Sequence, residues 1–317
     1  MPSTSMSRYD CIIIGGGPAG LAAAIYTGRA RIKTLVLEKG ATGGQLLLTD
    51  NVENYPGFIQ TDGGQLMEKF LEQAQRFGAE LGYGEVREVH ADGREFGVVT
   101  EEQTYAARSV IVATGSSHRH LGVPGEQEFW GKGVSVCATC DGAFFRDQVV
   151  SVVGGGDSAL TEALFLKNLC STVQVIHRRE ELRAERILHE RATAAPNIKF
   201  IWNSVVQEIV GEQTVTALRI RDVKTNSVAE IPTSAVFVSI GMTPNSIFLR
   251  DFIRLDHNGY VLATHQMATS RPGIFVAGDV RTNSLRQVAT SVGDGVTAAM
   301  SLELWLEDPS LIPPYVS

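Results

Sequence analysis

The sequence pattern that most constrains the fold is a strand, a glycine-rich turn and a helix, and the chain contains this pattern twice. The first copy is YDCIIIGGGPAGLAAA, which predicts a buried strand over residues 9–14 and an alanine-rich helix from Pro18. The second copy is VVSVVGGGDSALTEALFL. A turn of this kind brings the backbone and a helix N-terminus close to a pyrophosphate, so the pattern predicts two dinucleotide-binding units.

The first copy has the residues that a pyrophosphate and a free ribose require. Gly15 allows the tight turn, Gly17 lets the backbone approach the pyrophosphate, and Gly20 lets the helix pack closely on the strand. The next strand, TLVLE, ends at Glu38, where an acid can accept hydrogen bonds from the ribose hydroxyls. The sequence therefore predicts FAD in the first unit.

The second copy differs at the end of its second strand. It keeps Gly154 and Gly156, with Ala159 in the third glycine position. The strand TVQVIHRR then ends in a cationic group: His177, Arg178, Arg179 and Arg183. Cations suit a phosphorylated ribose, which predicts NADPH in this unit. The alternative is a solvated surface on which the arginines pair with neighbouring acids: Glu180, Glu181 and Glu185.

The stretch VSVCATCDGAFF carries the pair Cys137 and Cys140. Two thiols separated by two residues can close and reopen a disulfide, and a thiolate in such a pair can attack another disulfide at neutral pH. Asp141 adds a carboxyl group that could hand a proton to a leaving thiolate. Zinc needs four ligands, and the remaining cysteines, Cys11 and Cys170, stand alone, so we expect a redox dithiol and no metal.

Two further strand-and-glycine segments define the domain organisation. SVIVATGS belongs to the first unit, where its glycine turn at Gly115 suits a backbone close to a bound cofactor, and SAVFVSIGMTPN parallels it in the second. GIFVAGDV, whose Asp279 could bind a cofactor hydroxyl, completes the first sheet, so the second unit is inserted into the first. We therefore predict an α/β protein with two Rossmann-like domains of the glutathione-reductase type. The FAD domain would comprise residues 1–118 and 246–317, and the NADPH domain, which carries the dithiol, residues 119–245, with HLGVPGE as a linker.

The segments between these motifs give coarser predictions. Apolar spacing predicts helices over residues 64–77 and 291–306. Short alternating segments predict a small antiparallel sheet over residues 85–106 and a hairpin around residues 214–230. The loop GGQLLLTDNVENYPGF contains amides that could pair with a cofactor or cap turns: Gln45, Asn51 and Asn54.

The tail EDPSLIPPYVS follows the last predicted helix. Because chain termini usually fray, we expect a disordered end. Alternatively, two prolines stiffen the tail and Tyr315 stacks on an exposed flavin, in the same or the partner subunit. That arrangement would hinder NADPH, and the electron donor would then be ferredoxin or an unknown group.

Charge and cysteine content exclude several classes of protein. A net charge of -7 argues against nucleic-acid binding, and four cysteines are too few for a secreted disulfide scaffold. The N-terminus lacks the apolar stretch of a signal peptide, and no run approaches about 18 apolar residues. We expect a soluble cytoplasmic protein that binds neither nucleic acid nor membrane.

Eight motifs in a fixed order resemble one family: GGGPAG, GGQ, ENYPGF, VCATCDG, GGGDSA, HRREELR, AGDV and LRQV. Over nearly the whole chain they are similar to the bacterial-type low-molecular-weight thioredoxin reductases. The resemblance implies that FAD binds at Gly15, Gly17, Gly20, Glu38, Gln45, Asn54, Val86, Asp279, Arg286, Gln287 and Val288. It implies that NADPH binds at Gly156, Ser158, His177, Arg178, Arg179 and Arg183.

The same resemblance implies a flavoprotein that reduces thioredoxin. Electrons would pass from NADPH through FAD and the dithiol to the thioredoxin disulfide. Cys140 would be the sulfur nearer the flavin, Cys137 would attack thioredoxin, and Asp141 would act as acid and base. A homodimer and a rotation between the two domains are also implied.

Some departures and alternatives remain. Met242 stands where reductases of this family often carry a polar or ionisable residue, so contacts with the nicotinamide would differ. A type-2 ferredoxin reductase would share both nucleotide units but has no use for CxxC. A flavoprotein of the alkyl hydroperoxide system would add an N-terminal thioredoxin-like domain. A flavin-binding redox sensor without turnover is the alternative from a different class.

Overall fold

The computed structural model describes residues 7–48, 52 and 54–316. The chain begins with β1 (Arg8–Ile14), α1 (Pro18–Arg29), β2 (Thr34–Glu38), α2 (Gly63–Arg76), β3 (Glu80–Tyr83), β4 (Val86–Asp92), β5 (Glu95–Thr100), β6 (Thr104–Val112) and β7 (Ser116–His118). It continues with β8 (Val134–Ser135), α3 (Ala138–Asp141), β9 (Val149–Val153), α4 (Asp157–Leu166), β10 (Thr172–Ile176), α5 (Arg186–Thr193) and β11 (Ile198–Ile201). The remaining elements are β12 (Ser204–Gly211), β13 (Val215–Asp222), β14 (Val228–Pro232), β15 (Ala235–Val238), β16 (Met242–Pro244), β17 (Ile274–Val276) and α6 (Val288–Glu307).

The first compact unit comprises residues 1–117 and 243–317. Its seven-stranded sheet has the order β3-β2-β1-β6-β5-β4, with β17 beside β6. The pairs that involve β1, β2, β3 and β17 are parallel, and α1 and α6 pack against each other in the core around the buried strands. The chain leaves β1 toward β2 on one side and returns in β6 on the other. The carboxyl ends of β1 and β6 therefore form a topological switch point, where α/β sheets bind ligands.

Strand β6 joins the parallel and antiparallel parts of this sheet. Its first half pairs antiparallel with β5, and its second half pairs parallel with β17. The antiparallel strands predicted over residues 85–106 are present, and they extend the main sheet instead of forming one of their own. The predicted helices correspond to α2 and α6.

The second unit comprises residues 118–242. A five-stranded parallel sheet has the order β11-β10-β9-β15-β8, which places a second switch point between β9 and β15. The hairpin expected around residues 214–230 is formed by β13 and β14, and β12 pairs antiparallel with β13 to give three strands. This arrangement of strands and helices confirms the predicted α/β class.

The segments that join the two units are β7 and β16, which pair with each other. The inserted unit begins one residue earlier than the range predicted from the sequence and ends three residues earlier. The expected linker HLGVPGE lies inside the second unit. There the buried Glu126 carboxylate accepts hydrogen bonds from the N–H groups of Leu121 and Gly122, at 2.8 and 2.7 Å.

The C-terminal tail is docked on the first unit, so the expectation of a frayed end is wrong. Ile312 is 2% exposed and belongs to the core that α1 and α6 share. The Tyr315 N–H donates to the Thr269 oxygen at 2.9 Å, and Thr269 in turn pairs with Ile274, the first residue of β17. Burial of Ile312 holds the tail because it removes a large apolar side chain from water. The tail backbone therefore lies at the amino end of β17, whereas Asp279 follows its carboxyl end.

Within the described part of the chain, none of the helices has the length and apolar character that crossing a membrane requires.

We expect the substitution Ile312→Ala to lower the free energy of unfolding by about 2 kcal/mol or more, because it leaves a cavity in a packed core. Val316→Ala is the matched control, since Val316 is 80% exposed. Its effect should stay within about 0.5 kcal/mol. Chemical denaturation of both variants measures the difference, and equal stability of the two would show that the tail is not anchored.

Candidate functional site

The first glycine turn follows β1 at the switch point of the first unit. Gly15 has φ +108°, and a Cβ there would lie 2.4 Å from the Ala113 oxygen; a Cβ at Gly20 would lie 1.9 Å from the Gly15 oxygen. Only glycine fits at these two positions. At Gly17 the nearest atom to an added Cβ would be the Gly44 Cα, at 4.0 Å, so the backbone faces open space. This is the cradle that a pyrophosphate requires.

Glu38 ends β2 beside this turn. One carboxylate oxygen accepts the Gly16 N–H at 2.7 Å, and the other accepts the Gly40 N–H at 3.1 Å. Each oxygen keeps a lone pair that can accept a ribose hydroxyl. Nearby, the Thr42 Oγ1 is buried and has no hydrogen-bond partner among the described residues. The sequence did not predict Thr42 as a site residue, since a threonine in a glycine-rich loop belongs to no recognisable motif.

Asp279 lies in a short 3₁₀ turn after the carboxyl end of β17. One of its carboxylate oxygens accepts hydrogen bonds from the hydroxyls of Ser284 and Ser291, at 2.8 and 3.4 Å. The other oxygen has no partner among the described residues. Asp279 is thus oriented by protein contacts and retains one oxygen for a cofactor hydroxyl.

The segment before α6 connects to two distant loops. The Asn54 side-chain amide donates to the Gln287 side-chain oxygen at 3.1 Å, which ties the ENYPGF loop to the start of α6 at Val288. Arg286 has φ +55°, in the left-handed region, and its guanidinium donates to the Tyr260 hydroxyl at 3.2 Å. A non-glycine residue in this conformation is held by its surroundings and often marks a binding site.

Three other predicted FAD residues lie at separate points of the first unit. Gln45 is exposed in the 3₁₀ turn Gly44–Leu48, whose first residue faces Gly17. Val86 is buried at the start of β4, just beyond β3, where the Gly84 N–H bonds to the Glu38 oxygen. Gly115 has φ +64° and accepts the Asn245 N–H after β6. Asn51 lies outside the described residues.

The second glycine turn repeats the geometry of the first. A Cβ at Gly154 would lie 2.3 Å from the Ser239 oxygen, and one at Gly155 would lie 2.3 Å from the His177 Nδ1. An added Cβ at Gly156 would meet nothing within 4 Å, so the open position again falls on the glycine before the helix. Ser158 is exposed on the first turn of α4.

The His177 ring packs against the second glycine turn at Gly155. Its side chain is buried, and its Nε2 lies 3.0 Å from the Glu181 oxygen. Burial lowers the pKa of His177, and the neighbouring arginine charges lower it further. A neutral ring can donate one hydrogen bond, which suits the Glu181 carbonyl. The Arg183 N–H also donates to the Gly155 oxygen at 2.7 Å, so the arginine loop is folded against the glycine turn.

The side chains of Arg178, Arg179 and Arg183 are exposed and form no hydrogen bond or ion pair with the described residues. Of the acids that could neutralise them, Glu180 pairs with Lys224 instead. Glu181 and Glu185 form no ion pair with these arginines in the described part of the chain. The arginine–glutamate pairing considered as an alternative is therefore not found in the described part of the chain. Three unpaired guanidinium groups at the end of β10 match the chemistry of a ribose phosphate.

Glu162 on α4 is a residue that sequence reasoning missed. Its Oε2 is enclosed and has no partner among the described residues. Burial raises the pKa of Glu162 to about 8, and a hydrogen bond to Ser239 acts in the opposite direction. Because Ser239 follows β15, Glu162 lies at the crevice between β9 and β15. The sequence gives no sign of this, since Glu162 looks like an ordinary helix residue until its contacts are known.

The dithiol is present as a disulfide between Cys137 and Cys140, with a Cα–Cα distance of 5.4 Å. Both cysteines are half-buried, so the bond can be reached by a second disulfide. The Cys137 N–H donates to the Ser135 hydroxyl at 3.1 Å, and the Thr139 hydroxyl lies 3.3 Å from the Cys137 sulfur. Asp141 ends the same helical turn, and its N–H donates to the Cys137 oxygen.

The other two cysteines are chemically separate from this pair. Cys11 and Cys170 are buried free thiols. Burial raises the pKa of Cys11 above its usual range and that of Cys170 to about 11, so neither is a reactive thiolate at neutral pH. The described residues also include no cluster of three or more His, Cys, Asp or Glu side chains suited to a metal ion.

Comparison with known proteins relates the chain to one family. Residues 9–295 match the model of the pyridine nucleotide-disulphide oxidoreductases. A thioredoxin reductase of Listeria monocytogenes is 46% identical over 302 residues, which cover 95% of this chain and 94% of the relative. A thioredoxin reductase of Bacillus subtilis is also 46% identical, with 95% of each chain covered. A crystal structure of Lactococcus lactis thioredoxin reductase has a TM-score of 0.80 at 42% identity and covers 95% of this chain and 99% of that chain.

Glu162 makes the stability of the fold depend on pH. Because its pKa in the folded chain lies above its ordinary value, its contribution to stability is present below pH 4.5 and is lost as the pH rises toward about 8. Glu162→Gln removes this loss, so the variant should gain on the wild type across that window, by about 4 kcal/mol at its upper end. Urea unfolding at several pH values, with Glu190→Gln on the exposed surface of α5 as control, tests this. Parallel pH profiles for wild type and Glu162→Gln would contradict it.

Proposed function

The chain belongs to the pyridine nucleotide-disulphide oxidoreductases and, within them, to the bacterial-type thioredoxin reductases; from that premise we propose how its own residues divide the work. FAD binds in the first unit, NADPH binds in the second, and electrons leave through the Cys137–Cys140 dithiol to thioredoxin. The observation that carries this proposal is the combination in one chain of a half-buried CxxC disulfide with two glycine turns. One turn lies beside an acid that suits a free ribose, and the other lies beside arginines that suit a ribose phosphate.

The donor set of the first unit fits FAD. The turn at Gly15, Gly17 and Gly20 leaves room for a pyrophosphate, Glu38 can accept a ribose diol, and Asp279 keeps an oxygen for a hydroxyl. The side chain of Thr42 lies near the turn with its hydroxyl unpaired. The remaining proposed FAD residues are Gln45, Asn54, Val86, Gly115, Arg286, Gln287 and Val288. Bound there, FAD would supply two-electron transfer between a nicotinamide and a dithiol.

The donor set of the second unit fits NADPH. Gly156 and Ser158 begin α4 beside open space, and the unpaired arginines 178, 179 and 183 suit a 2′-phosphate. His177 contributes by holding the arginine loop through Glu181. Glu162 would be largely protonated at neutral pH, so that it can donate a hydrogen bond in the crevice beside Ser239.

The dithiol carries out thiol–disulfide exchange. In the reduced protein the Cys137 thiolate attacks one sulfur of the thioredoxin disulfide, which forms a mixed disulfide and expels the other sulfur as a thiolate. Cys140, proposed to be the sulfur nearer the flavin, then attacks Cys137, which releases the second sulfur and closes the Cys137–Cys140 bond. Two electrons and two protons are thereby transferred, and Asp141 is proposed to protonate the leaving thiolates.

The surroundings of the dithiol suit a protein substrate. Phe144, four residues after Cys140, is 74% exposed. A large exposed apolar ring beside a reactive bond favours contact with another protein surface. We propose thioredoxin as that protein, a homodimer as the working assembly and the cytoplasm as its location.

Ferredoxin as donor, or a sensor without turnover, are the alternatives. The ferredoxin alternative depended on a tail that covers the flavin. In this chain the Tyr315 backbone pairs at the amino end of β17, while Asp279 and the glycine turns lie at the carboxyl ends of their strands. The unpaired arginines also have no purpose in a ferredoxin-dependent enzyme. Both observations support NADPH as the donor.

Anaerobic titration of the holoprotein with NADPH tests the proposal. We expect flavin absorbance to bleach at near-stoichiometric NADPH and to recover when oxidised thioredoxin is added. A flavin that stays oxidised with NADPH and NADH but bleaches with dithionite would overturn the donor assignment. A flavin that bleaches with NADPH but never reoxidises with thioredoxin would favour the sensor.

In the same assay, Cys137→Ser should keep the bound flavin and its reduction by NADPH but lose thioredoxin reduction, because the attacking sulfur is gone. Cys170→Ser is the matched control, since this thiol is buried and outside the site. It should keep full activity. Undiminished thioredoxin turnover by Cys137→Ser would refute the assigned role.

Replacing Arg178 and Arg179 by Gln should raise KM for NADPH by about tenfold or more, because hydrogen bonds to a charged phosphate are lost. KM for NADH should be unchanged, since NADH lacks this phosphate. Arg186→Gln is the control: Arg186 is exposed in the next helix and pairs with Glu190. Equal increases of KM for the two nucleotides would exclude recognition of the 2′-phosphate by these arginines.

A further inference from the structure

Asp294 on α6 is a buried carboxylate that no motif assigned. Its side chain is 9% exposed. One oxygen accepts the Arg281 Nε at 2.6 Å and the Gly278 N–H at 3.1 Å, and the other accepts the Arg281 Nη2 at 2.8 Å. An ion pair at this depth needs a reason, because apolar side chains of similar volume are often as stable.

These contacts hold both ends of the turn that carries Asp279. Gly278 is the first residue of the turn, and Arg281 directly follows its last residue. Gly278 has φ +78°, and an added Cβ would lie 2.9 Å from the Ala19 Cβ, so the turn is tightly confined. Ser291, one helical turn before Asp294, bonds to Asp279 itself. One face of α6 therefore fixes the backbone and the side chain of this turn.

The same point of α6 contacts the helix of the first glycine turn. Gly295 packs so closely on α1 that an added Cβ would lie 2.1 Å from the Ala19 oxygen. Ala19 lies between Gly17 and Gly20. The spacing between the pyrophosphate turn and the Asp279 turn is therefore set through Asp294 and Gly295.

We propose that Asp294 is a positioning residue for FAD, which holds the Asp279 turn at a fixed distance from the first glycine turn by accepting the Gly278 N–H. Arg281 orients the carboxylate for this contact. The inference rests on the proposed function in requiring FAD in the first unit. It explains why a charged pair lies where an apolar pair would pack: an apolar side chain at position 294 could not accept the Gly278 N–H.

Two double variants separate this contact from the ion pair. R281M/D294N removes both charges and keeps a side-chain oxygen for the Gly278 N–H, whereas R281M/D294L removes the charges and the acceptor. The dissociation constant of FAD is measured by flavin fluorescence on the apoprotein of each variant. Thermal unfolding of each apoprotein and its affinity for 2′,5′-ADP, which would bind in the second unit, report on the integrity of the fold.

We expect R281M/D294N to bind FAD with an affinity near that of the wild type and R281M/D294L to bind about tenfold more weakly, since a buried N–H has lost its partner. The affinity for 2′,5′-ADP should be the same in both variants. Equal FAD affinities of the two variants, whether both are normal or both are weak, would overturn the inference. If R281M/D294L does not fold, R281M/D294A provides the same comparison. A wild-type apoprotein that fails to bind FAD would instead refute the proposed function.

Discussion

At both glycine turns, a carbonyl oxygen occupies the space in which a side chain would otherwise lie. The Ala113 oxygen is 2.4 Å from the position of a Cβ at Gly15, and the Ser239 oxygen is 2.3 Å from that at Gly154. Each oxygen belongs to the residue that follows the strand across the switch point, β6 or β15. This contact brings the turn against the neighbouring strand, while the third glycine of each turn, Gly17 or Gly156, faces open space. The two crevices are alike because the same backbone contact builds them.

What distinguishes the crevices is the charge at the end of the following strand. Glu38 uses its two oxygens to hold backbone N–H groups of its own turn, and it remains an acceptor for hydroxyls. In the second unit the buried His177 supports the loop, and the arginines stay outside it, exposed and unpaired. The different positions of His177 and the arginines of HRREELR follow from size and charge. A neutral ring can be buried under a glycine turn, whereas a guanidinium group is costly to bury without a partner.

The four cysteines divide in a similar way. Cys11 is buried in β1 and Cys170 in the loop between α4 and β10, where low polarity disfavours the thiolate, while Cys137 and Cys140 are half-buried in a short helical turn. Burial thus prevents these two thiols from competing with the dithiol for oxidised partners. The exposed Phe144 adds apolar surface next to the only cysteine pair that the described residues bring together.

The sequence by itself determined the α/β class, the two glycine turns, the redox dithiol and the family, because each depends on residue types at short fixed spacing. Only the tertiary structure decided that β6 serves two kinds of strand pairing, that the tail is anchored through Ile312, and that Glu162 is enclosed beside Ser239. The Arg281–Asp294 pair likewise has no local signal. Those features arise from contacts between residues far apart in the chain, and burial, which sets both packing and the cost of a charge, exists only once the chain has folded.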